Sequence, residues 1–322
     1  MKRFPLLAVV IAAALIAAVV LFLERVEQRP DDSGDRRGLG KGTPKKASTA
    51  KPPGRKLKPA PPDIGHPGRS VAIIIDDIGY DLQIVKELAG LPAPIAFAVL
   101  PHTPHAVEAA ELFHAAGKEI LLHLPMEPRS YPEGSPGEGA LMADMDAGEI
   151  RRRIRENLAE VPFALGVNNH MGSRFMEDEA RLAVVMEELR TKGLFFVDSL
   201  TTDNSRGREL AGRARVRFAA RDVFIDYAPG YAVALESLTG IFRQGRKNGT
   251  PVLMIGHPHM ETVRAIRDVL PIWRKKGVKV IPVSACLRIP GGAGKQDPFI
   301  KNRHNDKPAS ERKALHDPDI CP

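Results

Sequence analysis

Short apolar runs that look like buried strands alternate with helical patterns along most of this chain, and the runs end in polar or titratable residues. The clearest run is Val71 to Ile75, where Val, Ala and Ile follow one another without interruption and predict a strand buried on both faces. About eight such runs occur, starting near residues 71, 94, 118, 163, 194, 223, 251 and 278. Strands and helices in alternation predict a parallel α/β sheet with crossover helices.

The segments between the runs carry apolar residues at i, i+3 and i+4 with charged residues elsewhere, which predicts amphipathic helices. They span residues 81–91, 105–116, 147–160, 177–192, 232–247 and 261–276. We predict that the sheet closes into a (β/α) barrel; an even ring of eight strands and a distorted barrel of seven fit the pattern equally well. A barrel would gather the polar strand ends on one face, whereas an open doubly wound sheet would gather only those near its switch point.

The chain opens with two cations and then an apolar stretch from Pro5 to Leu23. At about 1.5 Å per helical residue, this stretch is long enough to cross a bilayer core of about 30 Å. No small-x-small cleavage site closes it, so residues 1–23 are expected to be an N-terminal membrane anchor or uncleaved signal. The preceding cations favour a cytoplasmic N-terminus, which places the rest of the chain in the cell envelope, on the periplasmic side of the cytoplasmic membrane.

Charge and composition separate a folded domain from its flanks. Residues 24–69 predict a basic, Pro-rich linker, and residues 288–322 predict a disordered polar tail. Residues 1–69 hold 14 Lys or Arg against 6 Asp or Glu, a surplus that equals the +8 net charge of the whole chain. The domain at residues 70–287 is therefore close to neutral, which argues against nucleic-acid binding by it. The chain has two cysteines, one of them in the tail, so no disulfide framework or zinc-thiolate site is predicted.

Two adjacent carboxylates, Asp76 and Asp77, follow the first buried run. Carboxylates at the edge of a dry core are costly, so a metal ion or a proton-transfer role is expected for them. A turn in which the first carboxylate caps the next helix is the alternative. Carboxylate and imidazole ligands without Cys suit zinc and its first-row neighbours. Because neighbouring side chains on an extended segment face opposite ways, one carboxylate can bind metal while the other acts as a base.

Four motifs at the predicted strand ends resemble those of the polysaccharide deacetylases of carbohydrate esterase family 4, and more closely those of the divergent polysaccharide deacetylase branch. The motifs are Ile-Asp-Asp-Ile-Gly at 75–79, Leu-His-Leu-Pro-Met-Glu-Pro at 122–128, Asn-Asn-His-Met-Gly-Ser at 168–173 and Gly-His-Pro at 256–258. Each motif alone is weak, but the four together are specific. The resemblance covers about residues 70–287, essentially the whole domain.

The resemblance implies a role for each matching residue. Asp76 falls at the position of the family's catalytic base, Asp77 at that of its metal-binding carboxylate, and His123 at that of the first histidine of an H-x-x-x-H metal motif. Glu127 stands where the second histidine of that motif belongs. His170 stands in a loop where the ordinary family has an arginine that orients the base. Either Glu127 or His170 could supply the missing metal ligand.

Three further residues complete the candidate site. His257 matches the histidine that in the family acts as general acid and protonates the leaving amine. Asp198 and Asp226 also end predicted strands, but Asp-Ser and Asp-Tyr pairs commonly start helices or turns, so we assign them a supporting role around the site.

The resemblance implies a metal-dependent hydrolase that removes N-acetyl or related acyl groups from an envelope polysaccharide such as peptidoglycan, with zinc as the first choice of divalent metal. The altered metal motif keeps an alternative open, a catalytically degenerate periplasmic protein that binds glycan or a protein partner at the barrel mouth. Aromatic residues make up 5% of the chain, and this modest share argues against a glycan-binding surface, which usually needs aromatic platforms for sugar rings.

Overall fold

A computed structural model describes residues 70–241 and 250–291. The predicted anchor at 1–23, the predicted linker at 24–69 and most of the predicted tail lie outside the described residues, as does the end of the helix predicted at 232–247. Among the helices of the described ranges, none combines the length and the apolar character needed to cross a membrane.

Nine strands occur in the described residues, and the pairings between them are parallel. Most connections between successive strands contain a helix, as the alternating pattern predicts. The strands are β1 (Ser70–Ile78), β2 (Ala96–Val99), β3 (Glu119–Met126), β4 (Gly166–Met171), β5 (Phe195–Asp198), β6 (Phe218–Ala220), β7 (Val223–Phe224), β8 (Val252–Gly256) and β9 (Lys279–Val280).

Seven α-helices occur in the same ranges, and aspartates start three of them. The side chain of Asp81 accepts hydrogen bonds from the first turn of one helix, Asp178 caps another, and Asp146 forms a capping box with Glu149 in a third. The helices are α1 (Leu82–Ala89), α2 (Ala106–Ala115), α3 (Ala147–Glu160), α4 (Glu179–Thr191), α5 (Gly207–Ala214), α6 (Tyr231–Gly240) and α7 (Met260–Lys275), with 3₁₀ turns at Phe175–Glu177 and Val283–Ala285.

Eight strands are hydrogen-bonded in the order β6-β5-β4-β3-β2-β1-β8-β7, and β9 pairs with the start of β1. Only Arg221 and Asp222 separate β6 from β7, so one extended segment pairs with β5 at its beginning and with β8 at its end. This segment joins the two ends of the path and gives a curled, barrel-like (β/α) fold. The eight paired strands therefore come from seven chain segments, and the eighth predicted run, at residue 278, corresponds to β9, which lies outside this path.

The sheet is buried on both faces. Ile73 and Ile75 of β1 belong to a large cluster shared with the helices, whereas Ala72 and Ile74 belong to a smaller cluster drawn mainly from the strands. Asp76 follows Ala72 and Ile74 at the two-residue spacing of one strand face. The carboxylate pair is therefore positioned at the carboxyl end of the inner core, the face where the barrel prediction placed the site.

Several element bounds differ from those predicted. β1, β3 and β4 run on through the polar residues, so Asp76, His123 and His170 lie within strands rather than after them. β4 begins at Gly166 instead of residue 163, where Phe163 has a positive φ of 66° and an exposed side chain. The strand predicted at 278–283 is reduced to the two residues of β9.

No helix or separate strand is predicted between the strand that ends at Asp198 and the one that begins at Val223, yet α5 and β6 lie there. α5 has eight residues and buries only Gly207, Leu210 and Ala211. Two turns of helix with so few apolar residues leave a periodicity too weak to recognise.

Candidate active site

β1 loses its regular geometry at the carboxylate pair. Its register with β2 shifts between Ile75 and Ile78, which marks a β-bulge, and Asp77 has a positive φ of 54°. Both carboxylates consequently approach the same ring. Nε2 of His123 lies 3.1 Å from Asp77 Oδ1 and 3.7 Å from Asp76 Oδ2. The strict alternation of faces expected for an extended segment does not hold at this bulge.

Side chains from β1, β3 and β4 converge on one point. Oδ1 of Asp77 lies 3.1 Å from both His123 Nε2 and His170 Nδ1, and the two ring nitrogens are 3.2 Å apart. Ligands held about 2.0–2.1 Å from a tetrahedral zinc ion are about 3.3 Å from one another. One carboxylate and two imidazoles at these spacings therefore fit a divalent metal with a coordination position left open, the pattern of catalytic zinc sites.

The charges of this triad suit a cation. Burial alone would raise the pKa of Asp77, but the hydrogen bonds and positive charges of His123 and His170 outweigh burial and hold that pKa well below its usual value. Burial lowers the pKa of His123, and the carboxylates of Asp76 and Asp77 raise it by more. Asp77 is therefore ionised at neutral pH, and metal binding competes with protonation of His123.

Asp76 is the second buried carboxylate of the site, with 3% of its surface exposed. Burial raises its pKa, and the nearby positive charges of His123 and His257 compensate only in part. Nδ2 of Asn168 donates a hydrogen bond to Asp76 Oδ1 at 2.8 Å. A buried carboxylate with a raised pKa and a fixed orientation is the kind of group that can accept a proton during catalysis.

Asn168 contacts both the triad and Asp76, and the sequence analysis assigned it no role. The Asp76 carboxylate can only accept, so the amide nitrogen must face it, and the amide oxygen then faces Nδ1 of His123 at 3.0 Å. That oxygen only accepts, so Nδ1 carries a proton, and Nε2 faces Asp77, where it can bind a metal ion once it is unprotonated. The available signal was the place of Asn168 as the first residue of the motif at 168–173, but its hydrogen-bond partners Asp76 and His123 lie on other strands.

His257 follows β8 on the other side of Asp77, with its Nε2 3.6 Å from Asp77 Oδ2. Its Nδ1 lies 3.1 Å from Asp226 Oδ1, and its backbone N–H and the Thr262 hydroxyl both donate to Asp226 Oδ2. Burial lowers the pKa of His257, but the hydrogen bond and charge of Asp226 and the charge of Asp77 raise it to about 9. His257 is therefore protonated at neutral pH. His259 lies beside this pair and is exposed.

Glu127 and Asp198 have other partners. Oε1 of Glu127 accepts from the Arg174 guanidinium and its Oε2 from the backbone of Ala143, both at 2.5 Å. Asp198 accepts from the Ser205 hydroxyl at 2.6 Å and so organises the loop after β5. Of the two residues considered for the missing ligand position, the structure brings His170 into the triad and uses Glu127 to hold the loop after β4.

A cavity of about 440 Å³ opens over the site. Asp77, His170 and His257 line its polar part, and apolar residues such as Ile84 and Leu100 line the remainder. This volume lies within the range of small-molecule sites, roughly 300–1,000 Å³. Two members of the triad, Asp77 and His170, therefore meet the protonated His257 at the wall of one cavity; His123 contacts Asp77, and the buried carboxylate of Asp76 lies 3.7 Å from the His123 ring nitrogen.

The chain matches the family model described as divergent polysaccharide deacetylase over residues 73–287. It is 37% identical over 201 residues to the uncharacterized protein YibQ of Escherichia coli K12, and this alignment covers 62% of each chain, less than two thirds of the YibQ length. An uncharacterized protein of Haemophilus influenzae is 32% identical over 225 residues, which cover 66% of this chain and 79% of that protein.

The crystal structure of the uncharacterized protein ATU2773 from Agrobacterium tumefaciens C58 has the same fold. It superposes with a TM-score of 0.65 at 26% identity and covers 70% of this chain and 91% of that one. The match to the family model begins within β1 and ends at residue 287, so it contains every residue of the site. The chain belongs to the divergent polysaccharide deacetylase family.

Proposed function

We propose that the domain is a metal-dependent hydrolase that removes N-acetyl groups from a polysaccharide of the cell envelope. The observation that carries the proposal is the triad of Asp77, His123 and His170, whose ligand atoms lie 3.1–3.2 Å apart. Asp76 and His257 flank the triad. Amide hydrolysis requires one group that accepts a proton, the role proposed for Asp76, and one that donates a proton, the role proposed for His257. Family membership supports deacetylation as the reaction, and the substrate and the metal are inferences from the site.

The triad would hold a divalent metal ion, with zinc the best match to one carboxylate and two imidazoles. When bound, such an ion polarises a carbonyl and lowers the pKa of water. His123 and His170 must present neutral ring nitrogens for this purpose. Asn168 prepares His123 by accepting a hydrogen bond from its other nitrogen.

Asp76 acts as the general base and His257 as the general acid. Asp76 accepts a proton from water as the water oxygen bonds to the amide carbonyl carbon. His257 then donates its proton to the amide nitrogen as the carbon–nitrogen bond breaks, which leaves acetate and a free amine. Asp226 fixes the His257 ring through Nδ1, so that Nε2 faces the cavity side near Asp77.

Metal removal tests the proposal directly. Deacetylation of N-acetylglucosamine oligomers by the full-length protein is expected to disappear after treatment with a chelator and to return when zinc is added, because the triad has no other source of a Lewis acid. Acetate release is the measurement. Activity that survives complete removal of the metal would reject the mechanism. Tight metal binding without acetate release would instead favour the degenerate binding protein.

Asp226→Asn is expected to move the alkaline limb of the pH profile to lower pH. Asp226 raises the pKa of His257, and the general acid must be protonated, so activity falls as the pH rises through that pKa. The charges of Asp77 and Asp76 also raise the pKa of His257, but a metal cation bound at Asp77 would offset them, which leaves the hydrogen-bonded Asp226 as the main support of that high pKa. Asparagine removes that support but keeps the size of the side chain.

The measurement is kcat/KM against pH for the wild type and the variant. Exposed Asp144, in the loop before α3, provides a control as Asp144→Asn and is expected to leave both limbs in place. An Asp226→Asn profile with an unmoved alkaline limb would show that a group other than His257 supplies the proton.

We also infer, from the sequence alone, that the domain is tethered to the cytoplasmic membrane through residues 5–23 and acts in the periplasm. The apolar stretch and its preceding cations support this placement, and an envelope polysaccharide is the substrate that it brings within reach. Recovery of the full-length protein in the soluble cytoplasmic fraction of its own cells would contradict it.

A further inference from the structure

Tyr80 is a large aromatic side chain that the fold leaves in solvent at the cavity over the site. It is 66% exposed, although it follows the largely buried strand β1 by only two residues. The ring lines the same cavity as Asp77, His170 and His257. An exposed aromatic side chain next to a reactive site is a candidate for direct contact with a ligand.

The backbone holds Tyr80 rigidly at this place. Gly79 has a φ of 137°, and a Cβ there would lie 1.9 Å from the Thr103 hydroxyl oxygen, so the turn is packed tightly against the loop after β2. The carbonyl of Gly79 also accepts from the backbone of His105 at 2.9 Å. On the other side, Asp81 caps α1. Anchors on both sides of Tyr80 fix its main chain, which reduces the entropy lost when a ligand settles on its ring.

The cavity lining indicates what kind of ligand fits. Its described lining residues include no lysine or arginine, and besides the triad carboxylate it presents Asp81 and Glu138. An anionic polymer would therefore meet the carboxylates of Asp81 and Glu138, while the protonated side chain of His257 in the lining is already paired with Asp226. Apolar surface, including Pro101 and Pro136, lies on the same cavity wall. A neutral ligand with one apolar face and several hydroxyl groups suits this combination.

We propose that Tyr80 is the stacking platform of a subsite for a neutral sugar ring, next to the sugar whose acetyl group reaches the triad. The inference rests on the proposed function and specifies its substrate as a neutral, N-acetylated glycan chain of more than one sugar. The carbon–hydrogen face of a pyranose ring packs against the aromatic ring, and the phenol hydroxyl stays in water. A single well-placed aromatic ring thereby meets the need for a platform in a chain with few aromatic residues.

Calorimetric binding of the N-acetylglucosamine tetramer tests the subsite. The full-length, zinc-loaded protein carries Asp76→Asn so that the sugar is not consumed. In this background, Tyr80→Ala is expected to weaken tetramer binding about tenfold or more, by analogy with the loss of one aromatic stacking contact. Tyr80→Phe is expected to bind within about twofold of its parent, because stacking needs the ring and not the hydroxyl.

Tyr131→Ala is the matched control, since Tyr131 is also exposed but does not line the cavity. It is expected to leave binding unchanged, and an anionic uronate tetramer is expected to bind more weakly than the neutral one. Equal binding by Tyr80→Ala and its parent would overturn the proposal. So would the absence of tetramer binding at millimolar sugar, an equal loss in Tyr131→Ala, or a preference for the uronate.

The subsite and the reaction can fail separately. Tetramer binding that depends on Tyr80, together with no acetate release by the protein with Asp76 intact, would keep the subsite and reject the hydrolase. Acetate release combined with Tyr80-independent binding would keep the hydrolase and reject the subsite.

Discussion

Asp77→Asn is expected to purify with less than about a tenth of the metal content of the wild type and to lose deacetylase activity by at least about a hundredfold. Asp77 provides the carboxylate of the triad, and Oδ1 lies 3.1 Å from each histidine nitrogen. Asparagine keeps the oxygen but removes the negative charge, so a divalent cation would be held by neutral groups alone. Elemental analysis and acetate release on the same preparations are the measurements.

Asparagine is a better substitution than alanine at this position. Asp77 has a φ of 54°, a left-handed conformation that asparagine adopts more readily than alanine does. Loss of metal in Asp77→Asn therefore cannot be attributed to backbone strain at the bulge. His170→Ala removes a second corner of the triad and is expected to give the same two losses.

His114→Ala serves as the control for general effects of removing a histidine. The His114 ring stacks on Phe163, with centroids 3.9 Å apart, at the end of α2 and away from the cavity lining. Its metal content and activity are expected to equal those of the wild type. If Asp77→Asn retains both metal and activity, the triad is not the functional centre.

The sequence predicted the fold class because its signal is local. Most buried strands contain a continuous apolar run, and most helices carry a clear amphipathic period, so the parallel barrel-like sheet follows from their alternation. The elements it missed are short: α5 buries few apolar residues, and the three residues of β6 are too few to show a period. The single segment that serves as both β6 and β7 could not be predicted, because the two pairings depend on how far the sheet curls.

For the site, the sequence predicted which residues come together but not all of their partners. The positions of Asp77, His123, His170 and His257 at carboxyl ends of strands put them on one face, and the structure places their side chains around one point. The choice between Glu127 and His170 depended on a partner far along the chain, since Arg174 pairs with Glu127.

The role of Asn168 likewise depends on contacts made at once with two other strands. Side-chain pairing across strands has no periodic signature in a single sequence, so these assignments required coordinates.

Asp76→Asn is expected to retain the metal content of the wild type and to lose about a hundredfold to ten-thousandfold in kcat, the usual contribution of a general base. Asp76 does not belong to the triad, and its closest contact with a triad histidine nitrogen is 3.7 Å. Asparagine at this position still accepts the hydrogen bond from Asn168, so the buried packing is kept. What disappears is the only property that the mechanism requires of Asp76, a carboxylate that takes a proton.

The role of Asp76 as base also predicts how the activity of the wild type depends on pH. Protonation of Asp76 removes the base, so activity is expected to fall on the acid side as the pH drops through the pKa of this carboxylate, which burial raises and a bound metal cation would lower. A residual activity of Asp76→Asn that is high and keeps the wild-type acid limb would show that another group accepts the proton. If Asp76→Asn retains the metal and Asp77→Asn loses it, the two neighbouring carboxylates have different roles: Asp77 binds the metal and Asp76 takes part in proton transfer.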